Sequence, residues 1–387
     1  MTSPSNARVV VIGGGPAGLS AATALRRAGV GAVIVVEREQ QAGGIPRHTD
    51  HTGFGVRDLR RLVRGPEYAR RLVHAAIAAG VDVRTGTTVL DVAGTSVVLA
   101  DGSVIDADAV VLATGVRERP RAARLVPGDR PAGVFTTGAI QQLTALHHRP
   151  VGERAVIVGA EHVSFSAIWT LHHAGCTPVA MVTSLPRHQT YVPLRLASAT
   201  RHGVPIHTDV DIAEIVGRER VDSVLLTDGR RIHCDTVVFT GDWIPDHEVA
   251  RRAGLAMVGA HRGPLVDQQF RTSNPGVFAV GNLVHPAETA DVCVLDGRAA
   301  AASIVGWCTT GEWEEPAPIA AGGDVRWAAP IATGLTVRVA SFGRGRVVVS
   351  AGDQIVARTR RRALVPHQAI HVPIVAAGRP LSVAVTR

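Results

Sequence analysis

A glycine-rich turn near the start of the chain constrains its fold more than any other feature. An apolar strand pattern, Arg8 to Ile12, runs directly into Gly13-Gly14-Gly15-Pro16-Ala17-Gly18, and Leu19 to Ala28 reads as a helix. In such a motif the first glycine makes a tight turn, the second lets the backbone approach a pyrophosphate, and the third allows close helix–strand packing. The helix N-terminus offers N–H groups and a positive dipole end to phosphate. The chain is therefore expected to begin with a dinucleotide-binding β–α–β unit.

The second strand of this unit ends in an acid. Gly31 to Val36 is apolar, and Glu37 follows it, 19 residues after Gly18. A carboxylate at this place can accept hydrogen bonds from an adenosine ribose. A lone glycine motif is weak evidence, but here strand, glycines, helix, strand and acid all occur in register. Together these features predict a nucleotide-binding site in the first β–α–β unit.

Three further segments indicate which nucleotide the chain binds. Gly43-Gly44 follows the acid, Asp108 to Leu112 leads into Ala113-Thr114-Gly115, and Val277 to Val280 leads into Gly281-Asn282. Together they resemble the two-dinucleotide-binding-domain flavoproteins, which include the pyridine nucleotide-disulfide and thioredoxin-reductase-like enzymes. The resemblance implies FAD, with a Gly-Asp pair at the last strand contacting the ribityl chain; Asn282 stands in place of that aspartate, and an amide can still bond a hydroxyl. The residues expected to bind FAD are Gly13, Gly15, Pro16, Ala17, Gly18, Glu37, Arg38, Gly44, Ile45, His48, Val89, Ala113, Thr114, Gly115, Gly281, Asn282 and Ala290.

The whole pattern occurs a second time, with altered chemistry. Arg154 to Val158 leads into Gly159-Ala160-Glu161-His162-Val163-Ser164, and Gly159 precedes Thr183 by the same 24 residues that separate Gly13 from Glu37. Glu161 stands where the pyrophosphate would approach, Ser164 replaces the packing glycine, and Thr183 replaces the ribose acid. We expect the Glu161 carboxylate to occupy the anion site, so that NAD(P)H binds poorly or not at all. The alternative is a wider loop that still binds NADPH, with Arg187 as the nearby basic residue.

The segment after the double glycine contains the candidate catalytic residues. In disulfide reductases the redox cysteines come just after this glycine pair, whereas Arg47, His48, Asp50 and His51 take the stretch here. Histidine exchanges protons near neutral pH, which suits proton transfer beside a flavin or a substrate. Arg47, His48 and His51 are therefore the catalytic candidates. The alternative is that they only hydrogen-bond the flavin or the loop itself.

This segment also sharpens the resemblance. The stretches GGIPRHTDHTGFGVRDL, GAEHVSFSAIWTLHHAG, TGDWIPDH and AVGNLVHPAETADV resemble the FAD α-type subunit of heteromeric amine and opine dehydrogenases and of hydrogen cyanide synthase, over about residues 7 to 310. The resemblance implies an amine-type small-molecule substrate and a partner β subunit. The leading function is thus an FAD-dependent C–N bond dehydrogenase component that does not use NAD(P)H efficiently. The alternatives are a stand-alone NAD(P)H-dependent flavoprotein reductase and a non-catalytic electron-relay subunit.

Composition excludes several other classes. The chain has no lysine, so no Schiff-base lysine is possible, and its net charge of +8 comes from arginines that we take to be dispersed over a solvated surface, without nucleic-acid binding. Four widely spaced cysteines form no Cys-x-x-Cys motif, so no metal site or dithiol centre is predicted. We expect no membrane span and no leader, hence a cytoplasmic protein that forms homo- or hetero-oligomers.

The expected fold class is α/β, with two nested Rossmann-like FAD/NAD(P)-binding domains and a small C-terminal β domain. The FAD domain should be discontinuous, over residues 1–118 and 245–312. A degenerate NAD(P)-binding-like domain fills residues 119–244. A linker over 313–324 and a β-rich domain over 325–387 complete the chain.

Overall fold

The chain forms two compact units, seen in a computed structural model that describes residues 3–191, 203–374 and 379–387. The first unit comprises Met1–Arg47, Thr52–Val116 and Ile244–Arg387, and the second comprises His48–His51 and Arg117–Trp243. The second unit is thus largely an insertion into the first. The chain passes from the first unit to the second within strand β10 (Val116–Glu118) and returns within strand β19 (Trp243–Pro245).

A five-stranded parallel sheet is the centre of the first unit. Its strands are β1 (Arg8–Ile12), β2 (Ala32–Val36), β5 (Asp82–Arg84), β9 (Ala109–Leu112) and β20 (Val277–Ala279). Their order is β20-β9-β1-β2-β5, so β1 lies in the middle with β2 on one side and β9 on the other. The central strands are runs of valine and isoleucine because both faces of the sheet are covered.

Three helices cover one face of this sheet, and a small antiparallel sheet lies on the other. The helices are α1 (Pro16–Arg27), α2 (Gly65–Ala78) and α7 (Ala290–Thr310), and the antiparallel strands are β6 (Val89–Ala93), β7 (Ser96–Leu99) and β8 (Val104–Asp106). Helix α1 starts at Pro16, three residues before the predicted Leu19, because a proline in the first turn lacks only an N–H that would have no partner there. Strands β3 (Thr52–Phe54) and β4 (Val63–Arg64) and helix α6 (Glu248–Arg252) complete this part.

Helix α7 corrects one sequence expectation. Its 21 residues are long and apolar enough to cross a membrane by length and composition, whereas no such stretch was expected. Half of its most apolar window is buried inside the protein. A Cβ on Gly297 would lie 2.2 Å from the Ala17 carbonyl oxygen of α1, so the two helices pack backbone against backbone. These features are those of a core helix.

The second unit repeats the first. Its strands are β11 (Val134–Thr136), β12 (Arg154–Val158), β13 (Thr177–Val182), β14 (Ile206–His207), β15 (Ile212–Val216), β16 (Ser223–Leu226), β17 (Arg231–His233) and β18 (Thr236–Phe239), and its helices are α3 (Arg121–Arg124), α4 (Thr137–Ala145) and α5 (His162–His173). The parallel sheet has the order β11-β18-β12-β13-β14, which matches the spatial order β20-β9-β1-β2-β5, except that the edge strand β11 comes first in its sheet along the chain whereas β20 comes last. An antiparallel β15-β16-β17 sheet corresponds to β6-β7-β8. The prediction of two nested Rossmann-like folds is confirmed.

The C-terminal residues form two further sheets around their own core, and they belong to the first unit. The strands are β21 (Ile319–Ala321), β22 (Val325–Ile331), β23 (Gly334–Val339), β24 (Gly343–Ala351), β25 (Gln354–Arg358), β26 (Arg362–Leu364), β27 (Ile370–Pro373) and β28 (Leu381–Thr386). Trp327 and Ala329 pack into the core beneath the parallel sheet, which joins this region to the rest of the unit. One strand, β21, lies inside the predicted linker, because its apolar segment pairs in parallel with β28.

Candidate functional site

In the glycine-rich turn between β1 and α1, two of the three motif glycines have no space for a side chain. Gly13 has φ +108°, and a Cβ on it would lie 2.4 Å from the Ala113 carbonyl oxygen. A Cβ on Gly18 would lie 2.0 Å from the Gly13 carbonyl oxygen. At Gly15, in contrast, only the Gly44 Cα comes within 4 Å. Gly13 and Gly18 are thus fixed by packing, whereas Gly15 leaves space beside the helix N-terminus.

The N-terminus of α1 has no side-chain cap. Gly15 is the N-cap residue, and as a glycine it offers no side-chain acceptor to the first turn. The backbone donors of a first turn need partners, and an anionic group can supply them. The turn therefore presents Pro16, Ala17 and Gly18 at an opening suited to a pyrophosphate.

Glu37 lies at the end of β2 and is 9% exposed. One carboxylate oxygen accepts a hydrogen bond from Gly14 N at 2.8 Å, and the other accepts one from Glu39 N at 2.9 Å. Each oxygen keeps a second lone pair for a ribose hydroxyl. Glu37 thus orders the glycine turn itself as well as being available for a sugar.

The other predicted FAD segments meet this turn. A Cβ on Gly44 would lie 2.9 Å from the Gly15 Cα, and Gly43 N donates to the Gly14 carbonyl oxygen at 2.7 Å. A Cβ on Gly281 would lie 2.7 Å from the Ala17 Cβ. Both glycine segments therefore approach α1 too closely for a side chain, and their positive φ angles independently favour glycine.

The crossing strand is anchored near the nucleotide turn as well. Thr114 Oγ1 donates to the Asp246 carbonyl oxygen at 2.6 Å, and the carboxylate of Asp246 pairs with Arg38 at 2.8 Å. The Arg38 side chain is 63% exposed. Val89, at the start of β6, packs against the core below the parallel sheet, and Ile45 is 45% exposed.

Asn282 serves a purpose that the sequence did not show. Its Nδ2 donates to the Glu288 carbonyl oxygen at 3.1 Å, and its Oδ1 accepts from the Glu288 N–H at 2.9 Å. An aspartate could accept but could not donate. The amide therefore closes the loop between β20 and α7, whose N-cap is Thr289, next to Ala290.

A buried polar cluster surrounds Glu288. Its carboxylate pairs with Arg338 at 3.0 Å, accepts from Thr336 Oγ1 at 2.5 Å, and lies 3.1 Å from His371 Nε2. Burial opposes ionisation of Glu288, but the hydrogen bond with His371 and the charge of Arg338 outweigh it and hold its pKa well below the usual range. Glu288 is thus a buried carboxylate held by three residues of the C-terminal strands.

The cluster continues to the start of α7. Arg57 Nη1 lies 2.7 Å from His371 Nδ1, and Arg57 N donates to the Asp291 carboxylate at 3.0 Å. Arginine only donates and an ionised carboxylate only accepts, so His371 accepts at Nδ1 and donates from Nε2. Sequence reasoning missed Arg338 and His371, because they lie 50 and 83 residues from Glu288 and no local pattern connects them.

The catalytic candidates fall in both units. Arg47, in the first, donates to the Gln41 carbonyl oxygen at 2.7 Å and pairs with Glu39. His48 and His51 belong to the second unit, where His48 is buried and His51 Nε2 is 2.7 Å from Ser166 Oγ. The ring of His51 also meets Trp169 edge to face. Their catalytic roles stay predictions.

In the second unit the helix N-terminus is capped by a carboxylate. Glu161 is the N-cap of α5 and forms a capping box with Ser164: its side chain accepts from the Ser164 N–H, and Ser164 Oγ accepts from Glu161 N at 3.2 Å. A Cβ on Gly159 would lie 2.8 Å from one Glu161 carboxylate oxygen, and a Cβ on Gly241 would lie 3.0 Å from the other. The carboxylate thus lies among the glycines of the turn, where the first unit has open space.

Glu118 forms a second acidic group at this end of the sheet. It is 8% exposed and accepts from Gly138 N at 2.7 Å. Burial raises the pKa of Glu118 to about 7, and the neighbouring charge of Glu161 adds to the rise. Arg124 donates to the carbonyl oxygens of Thr240 and Gly241, and burial lowers the pKa of Arg124.

The repeated fold and the open glycine turn define an FAD-type flavoprotein with two dinucleotide-binding domains. The family model "Pyridine nucleotide-disulphide oxidoreductase" matches residues 7–297, and the chain belongs to that family. It is an FAD-dependent oxidoreductase of this family.

Individual relatives point in two directions. The chain is 30% identical, over 71% of its length and 66% of the other protein's, to the ferredoxin reductase component of chlorobenzene dioxygenase from Cupriavidus sp. (strain PS12). It is 27% identical, over 71% of its length and 60% of the other's, to one of the subunits of opine oxidase from Agrobacterium tumefaciens (strain Ach5). The chain spans about two thirds of the length of these relatives. Its fold is similar to that of Lactococcus lactis thioredoxin reductase, with a TM-score of 0.67, 18% identity, and coverage of 78% of this chain and 99% of that one.

Proposed function

We propose that this chain is the FAD-bearing component of an oxidoreductase that acts on the C–N bond of an amine or amino acid, together with a partner subunit, and that it does not use NAD(P)H efficiently. The observation that carries this proposal is the cap of α5. Glu161 fills the turn that a nicotinamide pyrophosphate would need, and a fixed negative charge there repels phosphate. The similarity to an opine oxidase subunit supports the substrate class.

The first unit fits FAD. The uncapped N-terminus of α1 would hold the pyrophosphate, Glu37 the adenosine ribose, and the Gly281-Asn282 turn the ribityl chain. FAD, when bound, supplies the ability to accept two electrons and to pass them on singly or in pairs. The protein's own contribution would be to position that group, and the Glu288 backbone orders the Gly281-Asn282 turn through its two hydrogen bonds with Asn282.

An anaerobic titration tests the nicotinamide part. The purified chain loaded with FAD is mixed with NADH and then with NADPH, and the visible flavin absorbance is followed. We expect slow or no bleaching in the wild type and faster bleaching in Glu161→Gly, which restores a glycine at the turn. Glu219→Gly removes an exposed carboxylate from the same unit and should change nothing. Rapid bleaching of the wild type by either nicotinamide refutes the proposal.

A second candidate is an NAD(P)H-dependent reductase that passes electrons to a carrier protein. The relative named as a ferredoxin reductase component favours it. The titration separates the two, because this function requires rapid reduction of the wild-type flavin.

A third candidate, an electron-relay subunit without its own substrate, is tested by His48→Ala and His51→Ala. Each variant is assembled into the complex with its partner, and turnover of an amine is measured. Unchanged turnover favours a relay, whereas a loss with retained FAD favours direct participation.

A further inference from the structure

The net charge of the chain is concentrated at its C-terminal end. Residues 343–387 contain eight arginines and one acidic residue, Asp353, and so contribute +7 of the total +8. The expectation that the arginines are dispersed along the chain is wrong for these 45 residues. All eight are exposed: Arg344, Arg346, Arg358, Arg360, Arg361, Arg362, Arg379 and Arg387.

The pairing of the strands brings most of these arginines together. Arg344 and Arg346 alternate with the buried Gly345 and Val347 along β24, so both project from its solvent face. Arg358 of β25 pairs with Val348, which lies on that same face. Arg360 to Arg362 follow directly and lead into β26, which pairs with the start of β24. We call this surface, Arg344, Arg346, Arg358 and Arg360 to Arg362, the arginine face.

Few of these charges are neutralised within the chain. In the ranges that the structure describes, Arg387 alone of the eight has a carboxylate within salt-bridge distance, that of Asp324 at 3.5 Å. Elsewhere in the first unit arginines commonly pair, as Arg71 does with Glu67 and Arg271 with Asp267. The arginine face therefore presents a local positive field that attracts negatively charged molecules.

Two exposed apolar residues lie on the strand that carries Arg358, and one of them, Ile355, pairs with Ser350 on the same face of β24 as Arg344 and Arg346. Ile355 is 58% exposed and Val356 is 40% exposed, both on β25, the edge strand of its sheet. Arginine is enriched at protein interfaces, and an exposed apolar side chain beside it adds area that a partner protein can bury. An open edge strand with apolar side chains is otherwise an aggregation risk, which a docked partner removes.

The amino-acid composition of residues 343–387 indicates which class of negatively charged partner fits the arginine face. Residues 343–387 contain no Phe, Tyr or Trp, so the face lacks the aromatic side chains on which single-stranded nucleic acids stack. The described part of this region has no helix to lie in a membrane surface, but a pair of strands such as β24 and β25 can enter a major groove, so double-stranded DNA is compared directly in the experiment below. An acidic protein surface is the partner that would use both the charge of the arginines and the exposed apolar side chain of Ile355.

We propose that the arginine face is the docking surface for an acidic electron-carrier protein. The inference rests on the proposed function: a flavin that takes electrons from an amine and does not pass them to a nicotinamide needs another acceptor, and an electron-carrier protein bound at the arginine face would be that acceptor. Long-range attraction would speed the encounter, while Ile355 would supply apolar contact once the complex has formed.

Binding of an acidic [2Fe–2S] ferredoxin to the FAD-loaded chain tests this proposal. Affinity is measured by calorimetry at low and at physiological salt for the wild type, for Arg344→Glu/Arg346→Glu/Arg358→Glu, and for the single variant Arg346→Glu. The matched control is Arg61→Glu/Arg70→Glu/Arg218→Glu, which changes the net charge equally at exposed positions outside the arginine face. We expect salt-sensitive binding that weakens by about tenfold or more in the triple variant, by less in the single variant, and by under about twofold in the control.

Three results would overturn the proposal: no ferredoxin binding, equal loss in both triple variants, or tighter binding to double-stranded DNA or phosphatidylserine vesicles than to ferredoxin. Thermal unfolding of each variant verifies that it folds. The nicotinamide titration is performed without ferredoxin, so a failure of the proposed function is recognised separately from a failure of the docking surface.

Discussion

At the scale of single residues, the amide of Asn282 distinguishes this flavin site from the aspartate that the family resemblance led us to expect. We predict that Asn282→Asp loses the bond to the Glu288 carbonyl oxygen and places a carboxylate against it. The cost should be about 1–3 kcal/mol of unfolding free energy, together with weaker FAD retention. Urea unfolding and the flavin-to-protein ratio measure the two effects. Gln354→Glu, the same chemical change at an exposed site, should stay within about 0.5 kcal/mol; equal losses in both would contradict the assignment.

Glu118 leads to a prediction about pH. Its pKa rises from 4.5 in the unfolded chain to about 7 in the folded chain. Between these two pH values the folded state therefore holds a proton that the unfolded state has released. Stability is therefore greater below pH 4.5 and falls as the pH rises through about 7, by roughly 3 kcal/mol for this group. Glu118→Gln keeps the shape without the charge, and its unfolding free energy should depend less on pH between 5 and 8 than that of the wild type. If the unfolding free energy changes by the same amount between pH 5 and pH 8 in the wild type and in Glu118→Gln, the prediction is wrong.

At the scale of elements, strands β23 and β27 hold the loop before helix α7. Thr336 and Arg338 come from β23 and His371 from β27, and all three bind Glu288. We predict that His371→Leu, which can neither accept from Arg57 nor donate to Glu288, releases FAD about tenfold faster, a change of about 1.4 kcal/mol. His371→Gln offers an acceptor and a donor and should restore much of the retention. Arg346→Leu, at an exposed position on β24, serves as the control. Recovery of flavin fluorescence on dilution measures the rate, and equal rates in the Gln and Leu variants would exclude this role for His371.

The elements also show what a sequence can and cannot predict. The two β–α–β units were predictable because the glycines, the strand-end residues and their spacing are local, and the repeat doubled the signal. Glu161 could be placed for the same reason. The Glu288 cluster could not be found, since its members are separated in sequence by long stretches and meet only through sheet pairing and domain packing. The strand β21 was missed because three apolar residues among prolines and glycines carry no periodic pattern.

At the scale of the whole molecule, the two halves differ in what their helix N-termini offer. The turn of α1 is open and uncapped, whereas that of α5 already contains a carboxylate. The fold is thus repeated in both units, but a turn suited to phosphate is present in the first unit and is filled by Glu161 in the second. The charge is as unevenly distributed as the nucleotide chemistry, because almost all the excess lies in the last 45 residues.

The cysteines lead to a prediction that concerns the entire chain, since two lie in each unit. Cys176, Cys234, Cys293 and Cys308 are all free and buried. Burial raises the thiol pKa to about 11 at Cys176, about 12 at Cys234 and about 11 at Cys308, and well above its usual range at Cys293. Thiolate is the reactive form, so the native protein should be alkylated at none of the four by iodoacetamide at pH 8, whereas the urea-unfolded chain is alkylated at all of them. Intact-mass spectrometry counts the adducts. Modification of even one cysteine in the native state, with loss of activity, would reopen a thiol-based mechanism, which the absence of a Cys-x-x-Cys pair beside Gly44 otherwise argues against.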